Sequence, residues 1–268
     1  MTQDDVDAYV AGRLSGTVWA SSTTAKTLYG RCMTAGRRLG ELGITPNALT
    51  YGSLVLALLA GAAVATGHLL TAATILLLSG LFDVLDGMVA RATGRATKFG
   101  ALLDSTVDRF SDALPLLGLV ILLSSHGWWV GVPAAAMLGA VSVSYVRARA
   151  ESLGAKLPPL FMRRAERLVL LVITLLLGGL AWNAPARFGG ELGWAQVLLL
   201  TGLGLMAVLS FAAAAVALRA AQRALEGEGS LEAGGAPNAE REDGAPGDAE
   251  PGAKTDPDSS ALRAIRFR

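Results

Sequence analysis

From Leu49 onward the chain alternates long apolar runs with short polar links. A helix crossing a hydrocarbon layer about 30 Å thick takes roughly 20 residues. Six runs are long enough: Leu49–Thr66, Leu70–Arg91, Gly100–Ser124, Trp128–Ala150, Ala165–Trp182 and Leu192–Leu218. The stretch Thr23–Leu42 differs, because Lys26, Arg31, Arg37 and Arg38 are interleaved with Leu28, Met33, Leu39 and Leu42. That is the pattern of an amphipathic helix lying in a membrane interface. Pro46 suits the first turn of the helix that follows. After Leu225 the chain turns to Gly, Ala, Pro, Glu and Asp, with too little apolar surface to fold. The pattern predicts an all-α polytopic membrane protein. Its parts are an arm with an interfacial helix over 1–44, a six-helix domain over 45–224, and a disordered cytoplasmic tail over 225–268.

Composition agrees, with 52% apolar residues and a mean hydropathy of +0.47. A net charge of +1 gives no overall field that would point to nucleic acid. One cysteine, Cys32, excludes an internal disulfide and a Cys-rich metal site. The opening "MTQDDVDAYVAGRL" is too polar and acidic for a cleavable signal peptide, so the first span is expected to act as its own insertion signal. The links "TGHL", "SHGW" and "NAPARFGGELG" carry only Arg187 and Glu191 as formal charges, whereas "RATGRATK", "RARAESLGAK" and "MRRAER" are basic. Positive loops stay inside. The protein is therefore expected in a cell (inner) membrane, with both termini and the basic loops cytoplasmic.

Within this apolar frame four aspartates stand out, because ionisable groups inside a membrane helix are costly and mark function. Asp83 and Asp86 are three residues apart and share a helix face, which Gly87 and Ala90 continue with little bulk and Arg91 closes. Asp104 and Asp108, four apart, follow Gly100 on the next span. The short link between the two spans predicts antiparallel neighbours whose acidic faces meet. Four ionised carboxylates in one pocket repel one another unless cations intervene. Oxygen ligands without nearby His or Cys suit Mg²⁺ or Mn²⁺ rather than zinc, and two ions balance four aspartates. Small neighbours leave room for a diphosphate, with Arg91 and Lys98 at the rim. A structural aspartate pair explains two such residues and not four. A cation or proton pathway is the stronger rival, though it has no evident need for the small residues or the arginine.

The order Asp83-x-x-Asp86-Gly87-x-x-Ala90-Arg91, eight residues, Gly100-x-x-x-Asp104-x-x-x-Asp108 resembles the full signature of the CDP-alcohol phosphotransferases. The resemblance extends to the six-helix plan through about residue 225. It implies an enzyme in which an alcohol attacks the lipid-side phosphorus of a CDP-linked lipid and expels CMP. It further implies that Asp83, Asp86, Asp104 and Asp108 hold two metal ions, with Asp83 and Asp104 bridging them and Asp108 accepting the proton of the attacking hydroxyl. By the same resemblance Asn47, Ala48, Leu49, Thr50, Gly87, Ala90, Arg91 and Thr97 touch the CDP-lipid, and the enzyme is a homodimer.

The acceptor must be read from the second half. "SYVRARAESLGAKLPPLFMRRAERL" resembles the corresponding stretch of prokaryotic phosphatidylinositol phosphate synthases. This implies an inositol phosphate pocket lined by Ser144, Arg147, Arg149, Arg164, Glu166 and Arg167. Two positions depart from that pattern: Ala165 stands where proline is expected, and Arg147 where lysine is common. The expected reaction joins CDP-diacylglycerol and inositol 1-phosphate. Glycerol 3-phosphate is the alternative acceptor, a cation transporter is the alternative of another class, and a non-catalytic lipid-binding scaffold is disfavoured by the intact aspartates.

Overall fold

The computed structural model describes residues 34–158, 161–182 and 193–233, and among them every regular element is helical. Residues 34–41 form a short helix closed by Gly43, whose φ of 83° places it in the left-handed region. The Ile44 N–H then reaches back to the Leu39 carbonyl, satisfying an otherwise orphaned helix end. A Cβ on Gly36 would sit 3.1 Å from the Met88 backbone, so this segment rests directly on the end of the second long helix. Of the expected interfacial helix, only this end falls within the described residues.

Helix α1 (Pro46–Ala65) starts with Pro46 in its first turn, and the Thr45 hydroxyl accepts from the Ala48 N–H at 3.3 Å. Helix α2 (Leu69–Ala92) leads through Gly94, at φ 66°, to α3 (Lys98–Leu122). Thr97 caps α3 by accepting from Gly100 N–H at 2.9 Å, which starts the helix two residues before the expected Gly100. A short 3₁₀ turn, Gly127–Val130, precedes α4 (Gly131–Ser152). Then follow α5 (Arg164–Trp182) and α6 (Trp194–Ala233). The first turn of α5 closes with an Arg167 N–H to Arg163 carbonyl bond although alanine, not proline, occupies position 165.

The two helices expected as antiparallel neighbours, α2 and α3, do bring their acidic faces together, but most of their packing is with α1. Each packs extensively on α1, and they touch each other far less. Two glycines explain how closely α3 lies on α1. A Cβ at Gly61 would lie 2.7 Å from the Leu114 carbonyl oxygen, and one at Gly118 would collide with the Gly61 carbonyl. Only hydrogen at these positions lets the two backbones approach, the small-residue packing familiar from membrane bundles. On its other side α1 is tied to α2 by buried polar bonds. Ser79 donates to the Ser53 carbonyl at 2.8 Å, and the Ser53 hydroxyl donates to the Thr50 carbonyl at 2.7 Å. A core including Leu76, Leu116, Leu119, Leu175, Leu199, Leu203 and Met206 joins α2, α3, α5 and α6.

Large apolar side chains also cover the outside, among them Val55, Leu58 and Leu59 on α1 and Leu77, Leu78 and Leu81 on α2. Such an apolar exterior suits lipid rather than water. Four segments are long and apolar enough to cross a membrane: Pro46–Ala65, Leu69–Ala92, Gly127–Ser152 and Trp194–Glu226. Helices α3 and α5 are excluded from that set by their charges. They carry Asp104, Asp108, Arg109 and Asp112 on one, and Arg164, Glu166 and Arg167 on the other.

All this packing belongs to one compact unit, Met1–Gly229. Of a second, Ser230–Arg268, only the helical residues to Ala233 are described. The last helix runs past the expected boundary at 224. Helix formers such as Ala224, Leu225 and Glu226 continue its pattern, and Gln222 bonds Glu226 at 2.8 Å one turn on.

Candidate active site

The site forms where α2 and α3 converge, on either side of the Thr93–Thr97 link. Helical spacing aims Asp83 and Asp86 from α2 and Asp104 and Asp108 from α3. Carboxylate oxygens of Asp83, Asp104 and Asp108 lie within 4.8 Å of one another. Asp86 stands slightly apart. It is 5% exposed and accepts a 2.6 Å hydrogen bond from the Thr50 hydroxyl of α1. That bond fixes its rotamer and couples it to the serine ladder beneath.

Arg164, the first residue of α5, reaches into this acidic group. One terminal nitrogen pairs with Asp83 and lies 2.9 Å from Asp108 Oδ1, while its Nε is 3.6 Å from Asp112 Oδ1. Arg164 was expected to bind an acceptor's phosphate, and here it lies against the carboxylates. Asp83 Oδ1 is buried and receives no hydrogen bond from the described residues. Three clustered carboxylates, one with an orphaned buried oxygen and all offering hard oxygen donors, fit a divalent cation such as Mg²⁺ or Mn²⁺.

Beside the cluster a cleft of about 150 Å³ opens between the ends of α1, α2 and α3. Asn47, Thr50, Gly87, Ala90, Arg91 and Thr97 line it, together with Asp86, Arg95 and Asp104. Of the eight residues expected at a CDP-lipid, Ala48 and Leu49 do not line it. Leu49 is turned into the bundle at 6% exposure. A Cβ on Gly87 would come within 3.2 Å of the Arg91 guanidinium, so the glycine lets that cation lie flat against the helix. Arg95 went unnoticed in the sequence because it sits in a basic loop that topology alone explains.

The residues expected at the acceptor do not all converge. Arg167 is 3% exposed and fully engaged at both terminal nitrogens: one donates to the Met162 carbonyl at 2.9 Å, the other to Asp112 Oδ2 at 2.5 Å and Ser144 Oγ at 3.2 Å. Glu166 is exposed and accepts from the Arg163 N–H at 3.2 Å, capping the start of α5. Arg147 is half-buried and Arg149 exposed, each on the last turns of α4. Asp112, absent from the expected set, continues the Asp104–Asp108 spacing by one more turn. That i+4 continuation was the signal available.

A family model described as CDP-alcohol phosphatidyltransferase matches residues 43–208. The chain is 34% identical over 183 residues to the phosphatidylinositol phosphate synthase of Mycobacteroides abscessus, covering 66% of this chain and 77% of that protein. It is 39% identical over 140 residues to the archaetidylinositol phosphate synthase of Methanothermobacter thermautotrophicus, covering 52% and 69%. The structure of Mycobacterium tuberculosis phosphatidylinositol phosphate synthase with CDP-DAG bound superposes with a TM-score of 0.60 at 28% identity, covering 71% of this chain and 92% of that one. The same protein in complex with manganese and citrate gives a TM-score of 0.61 at 26% identity, covering 82% and 96%.

Proposed function

The chain belongs to the CDP-alcohol phosphatidyltransferase family, and on that premise we propose that it joins CDP-diacylglycerol to an inositol phosphate, releasing CMP. The observation that carries this reading is the carboxylate trio of Asp83, Asp104 and Asp108 beside a cleft rimmed by Arg91 and Arg95. A cleft of that charge pattern suits a diphosphate: the guanidinium groups can pair with its oxygens, and the acidic group would hold the cations that offset its remaining charge. Membership of a transferase family sets aside the cation-transporter reading.

Support for the acceptor comes from the relatives. One is named for a phosphatidyl product and the other for an archaetidyl product, and inositol phosphate is common to both names. The acceptor's phosphate would meet the basic groups opening α5 and closing α4, among which Arg164 and Arg147 are the half-buried ones.

In the proposed reaction Asn47, Thr50, Gly87, Arg91 and Thr97 seat the nucleotide end of the lipid in the cleft. Asp108 takes the proton of the attacking hydroxyl onto a carboxylate oxygen. The hydroxyl oxygen bonds to the lipid-side phosphorus, the bond from that phosphorus to the CMP oxygen breaks, and CMP leaves with the electron pair. Asp83, Asp86, Asp104 and Asp108 would hold two Mg²⁺, or Mn²⁺, which offset charge growing on the phosphoryl oxygens. Holding the partners in line supplies much of the remaining acceleration.

The same reading has all six α-helices crossing the membrane, the segment before α1 lying in the interface, both termini in the cytoplasm and two copies forming a dimer. Helices α3 and α5, at 25 and 19 residues, are long enough to cross. Beyond their charged ends they continue as the apolar runs "LPLLGLVIL" and "LVLLVITLLL".

The test is an acceptor panel with purified protein, Mg²⁺ and CDP-diacylglycerol, scored by CMP release. Inositol 1-phosphate should be the fastest acceptor. Faster release with glycerol 3-phosphate would overturn the acceptor assignment, and no release with any alcohol would overturn phosphatidyl transfer.

A further inference from the structure

Asp112 lies where two arginines meet. Its Oδ2 holds the buried Arg167 at 2.5 Å, and its Oδ1 faces the Nε of Arg164 at 3.6 Å. Arg164 presents a different nitrogen to Asp83 and Asp108. The two arginines are therefore in different situations. Arg167 is 3% exposed and has both terminal nitrogens committed, to Asp112, Ser144 and the Met162 carbonyl. Reaching a soluble phosphate would strip it of buried partners and leave Asp112 only the longer contact with Arg164. Arg164 keeps more exposure, 21% against 3%, and already lies among the carboxylates, with one terminal nitrogen on Asp83 and Asp108.

We propose that Asp112 is a positioning residue for acceptor recognition. It neutralises Arg167 inside the bundle and steers Arg164, so that Arg164 is the guanidinium presented to the acceptor's phosphate beside Asp108. Met162 supports the arrangement from the chain preceding α5. With φ at 55° it bends the backbone so that its carbonyl accepts from Arg167, fixing the base on which Arg164 stands. The proposal rests on the acceptor being a phosphorylated alcohol, as argued above. It adds that an aspartate on α3 sets the geometry of acceptor binding without touching the acceptor.

The experiment compares full-length wild type, Asp112→Asn, Asp112→Glu and the double variant Asp112→Asn with Arg167→Met. Steady-state CMP release is measured against acceptor and against CDP-diacylglycerol. The acceptor used is whichever phosphorylated alcohol the wild type prefers, so a wrong choice of inositol phosphate shows in the wild type alone. Asp112→Asn should raise the acceptor KM about tenfold while changing the CDP-diacylglycerol KM and kcat less than about threefold. Asp112→Glu should recover part of that loss. The double variant removes both halves of the buried pair, so it keeps the protein folded if the single variant is unstable. It should retain the raised acceptor KM. Recovery of a wild-type acceptor KM in the double variant would overturn the proposal, because Asp112 would then serve only to balance Arg167. Equal rises in both KM values, or a loss of thermal stability with unchanged kinetics, would overturn it as well.

Discussion

Arg164 and Asp83 join the start of α5 to the middle of the acidic face of α2, and the same guanidinium nitrogen lies 2.9 Å from Asp108 Oδ1 on α3. One side chain thus ties its own helix to two others. It also brings a single positive charge to a group of three carboxylates, those of Asp83, Asp108 and Asp112. Monovalent compensation of that kind is incomplete, which leaves the carboxylates with affinity for a further cation.

Arg164→Gln should therefore respond more strongly to Mn²⁺ than wild type does. The variant is expected to melt at lower temperature in chelator, and to gain more on metal addition. A tenfold tighter metal site corresponds to about 1.4 kcal/mol, or roughly 3 °C in Tm for a chain of this size. Thermal unfolding in detergent with and without Mn²⁺ measures both shifts. An unchanged metal response would show that Arg164 does not compete for the carboxylates.

Asp108→Asn removes the oxygen expected to take the acceptor's proton while conserving shape. CMP release should fall by about 10²–10⁴-fold, the usual size of a general-base contribution, compounded by any loss of metal. Initial rates at saturating CDP-diacylglycerol provide the measure, and a fall below tenfold would assign the proton elsewhere.

Gly87→Val tests the contact between helix and guanidinium in the cleft. A first carbon at this position already lies 3.2 Å from an Arg91 nitrogen, and the two methyl groups of valine extend further. Arg91 must move off the helix, so the KM for CDP-diacylglycerol should rise about tenfold, matching the effect of Arg91→Ala. An effect on the acceptor KM alone would place Arg91 at the wrong substrate.

Thr50→Val deletes the hydroxyl that donates to Asp86 at 2.6 Å and keeps the side-chain volume. A buried carboxylate left without its donor costs about 1–3 kcal/mol. The variant should melt several degrees lower in chelator, and added Mn²⁺ should recover much of the difference if Asp86 is a ligand. Scanning fluorimetry over a metal titration reads both effects.

The four aspartates were legible because helical spacing alone puts i, i+3 and i, i+4 residues on one face. The start of α1 was legible for a similar reason, since Pro46 is a local signal for a first turn, whereas the Thr97 cap of α3 was not read. What the sequence could not convey was tertiary. Gly61 and Gly118 are glycines among many in apolar runs, and nothing local says that they face each other and seat α1 against α3. Arg167 reads as a candidate phosphate ligand because it is a cation in an apolar run. The protein groups it meets, Asp112, Ser144 and the Met162 carbonyl, lie on separate segments and could not be read locally. Helix α6 overran its expected end because the residues after Leu218 keep helical propensity although their hydropathy falls.

Gly118→Leu should be among the most damaging changes outside the site. A side chain there meets the Gly61 carbonyl, a main-chain atom that cannot rotate away. Overpacking of this kind costs about 1–3 kcal/mol or more. Reduced yield of folded protein, with wild-type KM values in whatever fraction folds, is the expected result in size-exclusion and kinetic assays. Normal yield and stability would mean that α1 and α3 can separate without penalty.

The glycine contact between α1 and α3 has a mechanical corollary. That contact lies several turns along both helices from the cleft, which opens at Asn47 and Thr50 on one and at Gly100 and Asp104 on the other, and it is main chain against main chain, so no side-chain rotation relaxes it. The guanidinium at the head of α5, by contrast, hangs on four single bonds. The helix pair is thus fixed where its glycines meet, whereas the acidic group is met by a side chain with other rotamers open to it.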